Sequence, residues 1–216
     1  MPLRAVLDGK DYWWHQLGEG DRGKPFKCPV CGKPFIVVLP AEHRIKHFRH
    51  KRGRDHWEPE TIEHLEAKLA VHRWASLYGY AVQVEPFFSP FFVDVSFGSY
   101  VVECQCSGVS VRRVREKDEF YRGLGLKPLW VLGGDFWRNV HSFRWWSKRW
   151  SEYHIQRIRS VEVYLLKRYG RLVYYGDGDF WFGVFKFRIR SRFLGWYRLK
   201  RVCFGQVLWW LRKVYN

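Results

Sequence analysis

The chain has 216 residues, of which 47% are apolar and 19% aromatic, and its formal net charge is +17. This composition excludes an intrinsically disordered chain, and no run approaches the roughly 18 apolar residues that a membrane-spanning helix needs. No charged segment followed by an apolar one opens the sequence, and the odd number of cysteines, five, favours a reducing compartment over a disulfide framework. We therefore expect a soluble, cytoplasmic protein without membrane insertion.

The first 135 residues alternate between helical and strand patterns. A helix is expected to begin at Pro59, because proline is favoured at the first helical position and apolar residues recur at helical spacing until Gly79. The order helix, three strands, helix, strand predicts an α/β fold with a mixed sheet. The predicted elements are strands 2–8 and 35–39, helix 59–79, strands 81–88, 91–97 and 100–106, helix 109–123 and strand 128–132.

Residues 136–216, the basic C-terminal region, differ in kind from what precedes them. They hold 18 Lys and Arg against 4 Asp and Glu, together with eight of the thirteen tryptophans. Arginines neutralise phosphates and tryptophans stack on bases, so the mixture suits a nucleic acid. The alternative is an aromatic core with a solvated basic rim, and a role at a membrane surface is less favoured. The predicted elements are a basic helix 147–169, a hairpin turning at 176–179 and an amphipathic segment 196–215.

The stretch CPVCGKPFIVVLPAEHRIKHFRH has the spacing of a zinc knuckle. Two residues separate Cys28 from Cys31 and His47 from His50, and fifteen residues separate the pairs. Two such turns can close a tetrahedral Cys2His2 shell, and with four protein ligands the site would be structural. His43 is an alternative for either histidine. The competing interpretation makes the histidines ordinary surface residues of a basic loop.

Two carboxylates lie in the predicted strands of VDVSFGSYVVECQCS. Asp94 and Glu103 stand on either side of a tight turn and are flanked by apolar residues. Burial disfavours such carboxylates unless a cation or a metal ion accompanies them, and Mg2+ accepts one or two carboxylates while leaving room for phosphate oxygens. Alternation places Cys104 and Cys106 on the opposite face, where we expect them to be small core residues; Cys203 is expected to be another.

A polar stripe precedes these strands on the first long helix. Glu60, His64 and Lys68 follow one another at a spacing of four residues, on the face opposite Leu65 and Leu69. Such a stripe is ordinary decoration of a solvent-exposed face. Alternatively, it closes over the sheet and brings a metal ligand, a proton carrier and a positive charge to the carboxylates.

Several motifs in one order resemble the competence protein CoiA family. They are MPLRAVLDG, CPVC with HFRH, ETIEHLEAK, VDV, ECQCSGVS and PLWVLGG, and they cover about residues 1–134. The resemblance implies a PD-(D/E)xK restriction-endonuclease-like core with a mixed sheet flanked by helices, and a role in processing DNA during uptake, transformation or recombination. Gln105 stands where the general motif has lysine, as it does in CoiA-like sequences, and this exchange weakens the case for catalysis because an amide carries no charge.

The leading hypothesis is a metal-dependent deoxyribonuclease. Asp94, Glu103 and the Cys104 backbone carbonyl would hold Mg2+ or Mn2+. Gln105 would orient the attacking water and Lys68 would neutralise developing phosphate charge. His64 or Glu60 would move protons or complete the metal shell.

Three regions and two further functions complete the prediction. Residues 1–56 would form an N-terminal strand and a zinc module, 57–135 the nuclease-like core, and 136–216 a basic aromatic α+β region that grips DNA, single-stranded or end-containing. One alternative is an inactive nuclease-fold protein that binds DNA. The other is an adaptor that loads recombination or uptake proteins. Composition does not fix the oligomeric state.

Overall fold

The computed structural model describes residues 2–41, 46–52, 61–138, 140–143, 152–155, 159–185 and 195–215. Two small antiparallel ribbons occupy the N-terminal part. In the first, β1 (Arg4–Leu7) pairs with β2 (Lys10–Trp13), and Asp8 and Gly9 make the turn with positive φ angles. In the second, β3 (Phe35–Val38) pairs with β4 (His47–His50). Of the four strands in these ribbons, the sequence pattern predicted those at 2–8 and 35–39. The two ribbons share one apolar cluster. Its buried members are Ala5, Leu17, Phe26, Cys28, Phe35 and Phe48.

Helix α1 (Ile62–Leu77) is confirmed within the described residues. The Thr61 hydroxyl caps its first turn by accepting the backbone N–H of His64 at 3.3 Å, and Gly79 follows its end with a positive φ. Pro59 and Glu60 lie outside the described residues. One face of α1 packs on the main core, which contains Ala67, Val71 and Ala75.

Three antiparallel strands follow α1, interrupted by a small hairpin. Residues Glu85 and Pro86 separate β5 (Val82–Val84) from the hairpin of β6 (Phe87–Phe88) and β7 (Phe91–Phe92). The chain then enters β8 (Val95–Phe97) and β9 (Tyr100–Gln105), so that the predicted strands 81–88 and 91–97 are each split.

Helix α2 (Val111–Gly123) and strand β10 (Lys127–Leu132) complete this part of the fold. The strand runs parallel to β9, with Trp130 opposite Glu103. Beyond it, Gly133 and Gly134 lie against Cys106, and a Cβ on Gly134 would stand 2.5 Å from the Cys106 carbonyl oxygen. The double glycine of PLWVLGG therefore lets the end of β10 approach the end of β9.

The remaining elements extend the same sheet. They are α3 (Asp135–Arg138), β11 (Val140–Phe143), β12 (Glu152–Ile155), α4 (Ser160–Tyr169), β13 (Leu172–Gly176), β14 (Asp179–Phe185), β15 (Gly195–Val202) and α5 (Phe204–Tyr215). Within the described ranges the sheet has nine strands in the order β11-β12-β15-β14-β13-β10-β9-β8-β5, with β10 parallel to both neighbours and the other pairs antiparallel. The predicted α/β fold, a mixed sheet flanked by helices, is confirmed. The division of the chain at residues 56 and 135 stays a prediction.

One predicted helix is wrong. Residues 147–169 were expected to be helical, yet Glu152–Ile155 is a strand and the helix begins only at Ser160. Pairing of β12 with both β11 and β15 satisfies its backbone, and this tertiary context outweighs a weak local helical preference. Within α4, the Glu162 carboxylate accepts the backbone N–H of Arg159 at 2.7 Å and so marks the true start.

The hairpin predicted at 176–179 is confirmed, with positive φ angles at both Asp177 and Gly178, as a two-residue turn of the favoured hand requires. The segment 196–215 divides into β15 and α5. Cys104 and Cys106 are buried as expected, whereas Cys203 is exposed, because it lies at the junction between β15 and α5 and not inside the core. Among the described residues, every helix is too short or too polar to traverse a bilayer.

Candidate functional site

The Asp94 carboxylate lies between the end of β7 and the start of β8, beside β9. Its Oδ2 accepts the backbone N–H of Cys104 at 2.7 Å and lies 3.1 Å from Nε2 of His64. Its Oδ1 lies 3.1 Å from Nζ of Lys68. Two residues of the helix stripe therefore converge on the predicted carboxylate, and the solvent-facing alternative does not apply to Lys68, whose side chain is 1% exposed. Glu60 lies outside the described residues.

Burial and positive charge act against each other on Asp94. Burial opposes ionisation, but the charges of Lys68 and then His64 outweigh it and hold the pKa of Asp94 well below its ordinary value. The Asp94 carboxylate is therefore ionised at any physiological pH.

The Glu103 carboxylate lies on the face of β9 that α2 covers. Its Oε2 is 2.7 Å from Nζ of Lys117, and its Oε1 accepts the Tyr121 hydroxyl. Burial and the charge of Asp94 raise the pKa of Glu103, against the opposing charge of Lys117. Since the charge of Asp94 acts on Glu103, the two carboxylates share one electrostatic environment with His64 and both lysines.

A third carboxylate, Glu85, anchors this arrangement. Its Oε1 lies 3.1 Å from Nζ of Lys68, and its Oε2 accepts the backbone N–H of Leu3 at 2.9 Å. The Glu85 backbone N–H donates to the Asp94 carbonyl oxygen at 2.9 Å. Its φ of 53° lies in the left-handed region, which costs a residue other than glycine of the order of 1–3 kcal/mol. Glu85 thus links the N-terminal ribbon to Lys68 and Asp94.

Glu85 and Lys117 are not among the predicted site residues, although both leave a signal in the sequence. Glu85 is an isolated acid in the apolar run AVQVEPFF. Lys117 lies between Val114 and Tyr121 at helical spacing, and so on the inward face of α2. A charged residue on an apolar face indicates a buried partner, which for Lys117 is Glu103.

Gln105 stands at the end of β9, half-buried, beside the carboxylates. Its Nε2 donates to the Ser107 carbonyl oxygen at 2.9 Å. The general PD-(D/E)xK motif has a lysine at this position, where this chain has glutamine. The structure instead brings Lys68 to Asp94 and Lys117 to Glu103.

A second cluster lies in the N-terminal ribbons. Ligand atoms of Cys28, Cys31 and His50 all lie within 4.8 Å of one another, with Cys31 Sγ 3.4 Å from His50 Nε2. The Val30 N–H donates to Cys28 Sγ at 3.4 Å, so the knuckle turn is formed. This cluster could hold a metal ion, and its sulfur and imidazole donors fit zinc.

The predicted ligand His47 is not part of the metal cluster found among the described residues. His47 and His50 belong to a strand and not to a turn, so alternation turns side chains three residues apart toward opposite faces. His43, the predicted alternative, lies outside the described residues.

Four tryptophans of the basic C-terminal region have side chains that the structure describes, and they divide between core and surface. Trp181 and Trp210 are buried, and Trp137 stacks on Trp181 with ring centroids 5.7 Å apart. Trp209 is 56% exposed, and Nζ of Lys213 lies 4.1 Å from its ring centroid. The interpretation of an aromatic core therefore holds for the first three, while Trp209 remains available for stacking.

The chain matches one family model and one curated protein. The family model described as "Competence protein CoiA, nuclease-like domain" matches residues 60–170, about half of the chain. Competence protein CoiA of Bacillus subtilis (strain 168) is 26% identical over 133 residues, which are 56% of this chain and 35% of that protein. The chain thus spans about a third of this relative's length. No solved structure matches. The match extends through α1, β9, α2 and α4, and the chain belongs to the competence protein CoiA family.

Proposed function

We propose that this protein is a metal-dependent nuclease that hydrolyses phosphodiester bonds in DNA. The observation that carries the proposal is the group of side chains around β9, where His64 and Lys68 contact Asp94 and Lys117 contacts Glu103. Two carboxylates on neighbouring segments, each beside a cation, suit a divalent metal ion and the phosphate it binds.

The residues present fit such an ion. A carboxylate has about four acceptor sites, and the contacts described above occupy three on Asp94 and two on Glu103. The Cys104 N–H faces Asp94, and because the N–H and C=O of one strand residue point to the same side, its carbonyl faces that side too. Asp94, Glu103 and the Cys104 carbonyl would hold Mg2+ or Mn2+, which when bound lowers the pKa of a coordinated water.

Each side chain around the carboxylates would then have its own role in the reaction. Lys68, locked between Glu85 and Asp94, is better placed to fix the Asp94 carboxylate than to reach a phosphate, although we predicted the second role. Lys117, 19% exposed, would neutralise charge that develops on the phosphate. His64 would carry a proton, and Gln105 would orient the attacking water.

A second function stays open because position 105 is an amide. Gln105 offers no charge, and its Nε2 is already bonded to Ser107. An inactive protein that binds DNA, or an adaptor for recombination and uptake proteins, would keep the carboxylates for stability alone. Cleavage of labelled single-stranded and duplex DNA by the purified protein, with Mg2+, with Mn2+ and with neither, separates these functions from a nuclease. A role in uptake, transformation or recombination belongs to the same proposal.

We also propose that Cys28, Cys31 and His50 provide three of the ligands of a structural zinc ion. The purified chain is expected to contain about one zinc ion per molecule by elemental analysis. Cys31→Ser should lose the ion and lower the melting temperature, because structural zinc contributes directly to folding.

The matched control for zinc is Cys203→Ser, which removes an exposed thiol far along the chain and should keep the metal. His50→Asn should lose zinc while His47→Asn keeps it, because His47 is not part of the cluster. Zinc-free wild-type protein, or equal zinc in the Cys31 and Cys203 variants, would contradict the assignment.

A further inference from the structure

An aromatic hairpin, residues 86–93, grows directly out of the carboxylate site. Glu85 and Asp94 flank the hairpin, and the Glu85 N–H donates a hydrogen bond to the Asp94 carbonyl oxygen. A second bond runs from the Val93 N–H to the Pro86 carbonyl oxygen at 3.1 Å. The position of the hairpin is therefore tied to the position of Asp94.

One pair of rings anchors this aromatic hairpin. Phe88 and Phe91 pack against the cluster of Val93, Val101 and Tyr121. The Phe91 ring centroid lies 5.0 Å from that of Phe120. Two aromatic residues thus fasten the hairpin to α2 and β9, and hold it in one orientation.

The other pair of rings faces away from that anchor. Phe87 and Phe92 are cross-strand partners, with ring centroids 4.7 Å apart. Phe92 packs against the apolar cluster of the N-terminal ribbons, whereas Phe87 is 49% exposed. Phe87 is the one phenylalanine among the exposed large apolar residues of the described part of the chain. Phe87 is therefore an exposed ring supported on one side by Phe92, and such a ring suits stacking against another flat π-system.

Position and charge indicate what would stack there. Phe92 precedes Asp94 by only two residues, so the backbone that carries the ring pair leads directly into the site. The Arg113 guanidinium lies 4.8 Å from the Phe91 ring centroid, and Arg112 is 88% exposed. Glu116 contacts both arginines but cancels only one of their two charges. Arg113 therefore places a positive charge on the anchored side of the hairpin, and Arg112 adds an exposed one next to it in the sequence; both attract the phosphates of a strand that reaches the hairpin.

We propose that the aromatic hairpin stacks one unpaired base of the DNA strand whose phosphate lies at Asp94 and Glu103, with Phe87 as the contact. This inference rests on the proposed nuclease function and names its substrate class: DNA that is single-stranded, or frayed beside the cut. A base inside an intact duplex is stacked on its neighbours and paired, so Phe87 cannot reach its face. The hairpin thus selects unpaired DNA at the site itself, independently of the basic C-terminal region.

The test is equilibrium binding of a labelled single-stranded oligonucleotide and of a blunt-ended duplex of two separate strands, without added Mg2+ or Mn2+. Phe87→Ala should weaken binding of the single strand about tenfold and leave the duplex unchanged. Phe87→Tyr should restore binding, whereas Phe87→Leu, apolar but without a π-face, should not. Leu77→Ala removes another exposed apolar side chain, 77% exposed at the end of α1, and should change neither affinity.

An abasic site scanned along the oligonucleotide sharpens the result. At one position, the abasic substitution and Phe87→Ala should each weaken binding while together costing no more than either alone, since both remove the same contact. Equal binding of the single strand by wild type and Phe87→Ala, or an equal loss with the duplex, would overturn the proposal. Because binding is measured without catalytic metal, a protein that shows this pattern but never cuts would contradict the nuclease and leave the hairpin assignment standing.

Discussion

Lys68→Met is expected to lower the free energy of unfolding by about 3–5 kcal/mol, because it leaves buried carboxylates without their cation. Nζ of Lys68 lies 3.1 Å from both Glu85 and Asp94, and the side chain is almost fully buried. Methionine keeps most of the volume of the lysine stem, so the loss reports charge and not a cavity. Urea unfolding followed by circular dichroism measures it.

Two comparisons isolate the buried charge. Lys167→Met removes an exposed lysine of α4 and should change stability by less than about 0.5 kcal/mol. Adding Glu85→Gln to Lys68→Met should recover part of the loss, since one orphaned carboxylate is then neutral. The account of Lys68 as the cation that holds Asp94 in place is wrong if Lys68→Met unfolds at the same urea concentration as Lys167→Met.

Lys117→Met is expected to lower the cleavage rate about 10²–10³-fold while changing DNA affinity much less. A cation aimed at charge that develops during the reaction acts mainly on the transition state, and removal of one such donor costs about this much. Lys117 lies 2.7 Å from Glu103 and reaches this carboxylate from α2, and we expect it to supply the positive charge that Gln105 lacks. Single-turnover cleavage, with DNA binding measured in parallel, separates the two effects.

Relocating the charge is the sharper test of Lys117. In the double variant Lys117→Met/Gln105→Lys, the lysine returns to the position it has in the general motif, and part of the lost rate should return. Arg112→Met, on the exposed face of the same helix, should weaken DNA binding more than it slows the chemical step. Full activity of Lys117→Met would remove this residue from the mechanism.

Sequence patterns predicted the elements whose structure is decided locally. Helix α1 has a cap and apolar residues at helical spacing, and the turn at Asp177 and Gly178 needs two residues that accept positive φ. Strand β12 could not be predicted in this way, because its pairing with β11 and β15 depends on distant residues. The split of the strands around Glu85 and Pro86 also escaped periodicity, since the apolar run continues on both sides.

The site was predictable as far as the motifs reach. Spacing and resemblance identified Asp94, Glu103, His64 and Lys68, and the structure brings His64 and Lys68 to Asp94. The partners that belong to no motif were missed. Lys117 meets Glu103 only because α2 folds over β9. Two histidines three residues apart fit a turn in the sequence, but the β3–β4 pairing turns His47 away from His50.

Cleavage of labelled DNA tests the central claim most directly. Wild type, Asp94→Asn and Glu103→Gln are compared on single-stranded and duplex substrates with Mg2+, with Mn2+ and without either ion. Both substitutions keep the size of the side chain and remove one negative charge. The account predicts metal-dependent cuts by wild type and at least a hundredfold slower cutting, of the order expected for loss of such a group, by both variants. Salt-sensitive DNA binding by all three proteins without any cleavage would contradict the nuclease and favour the inactive DNA-binding protein.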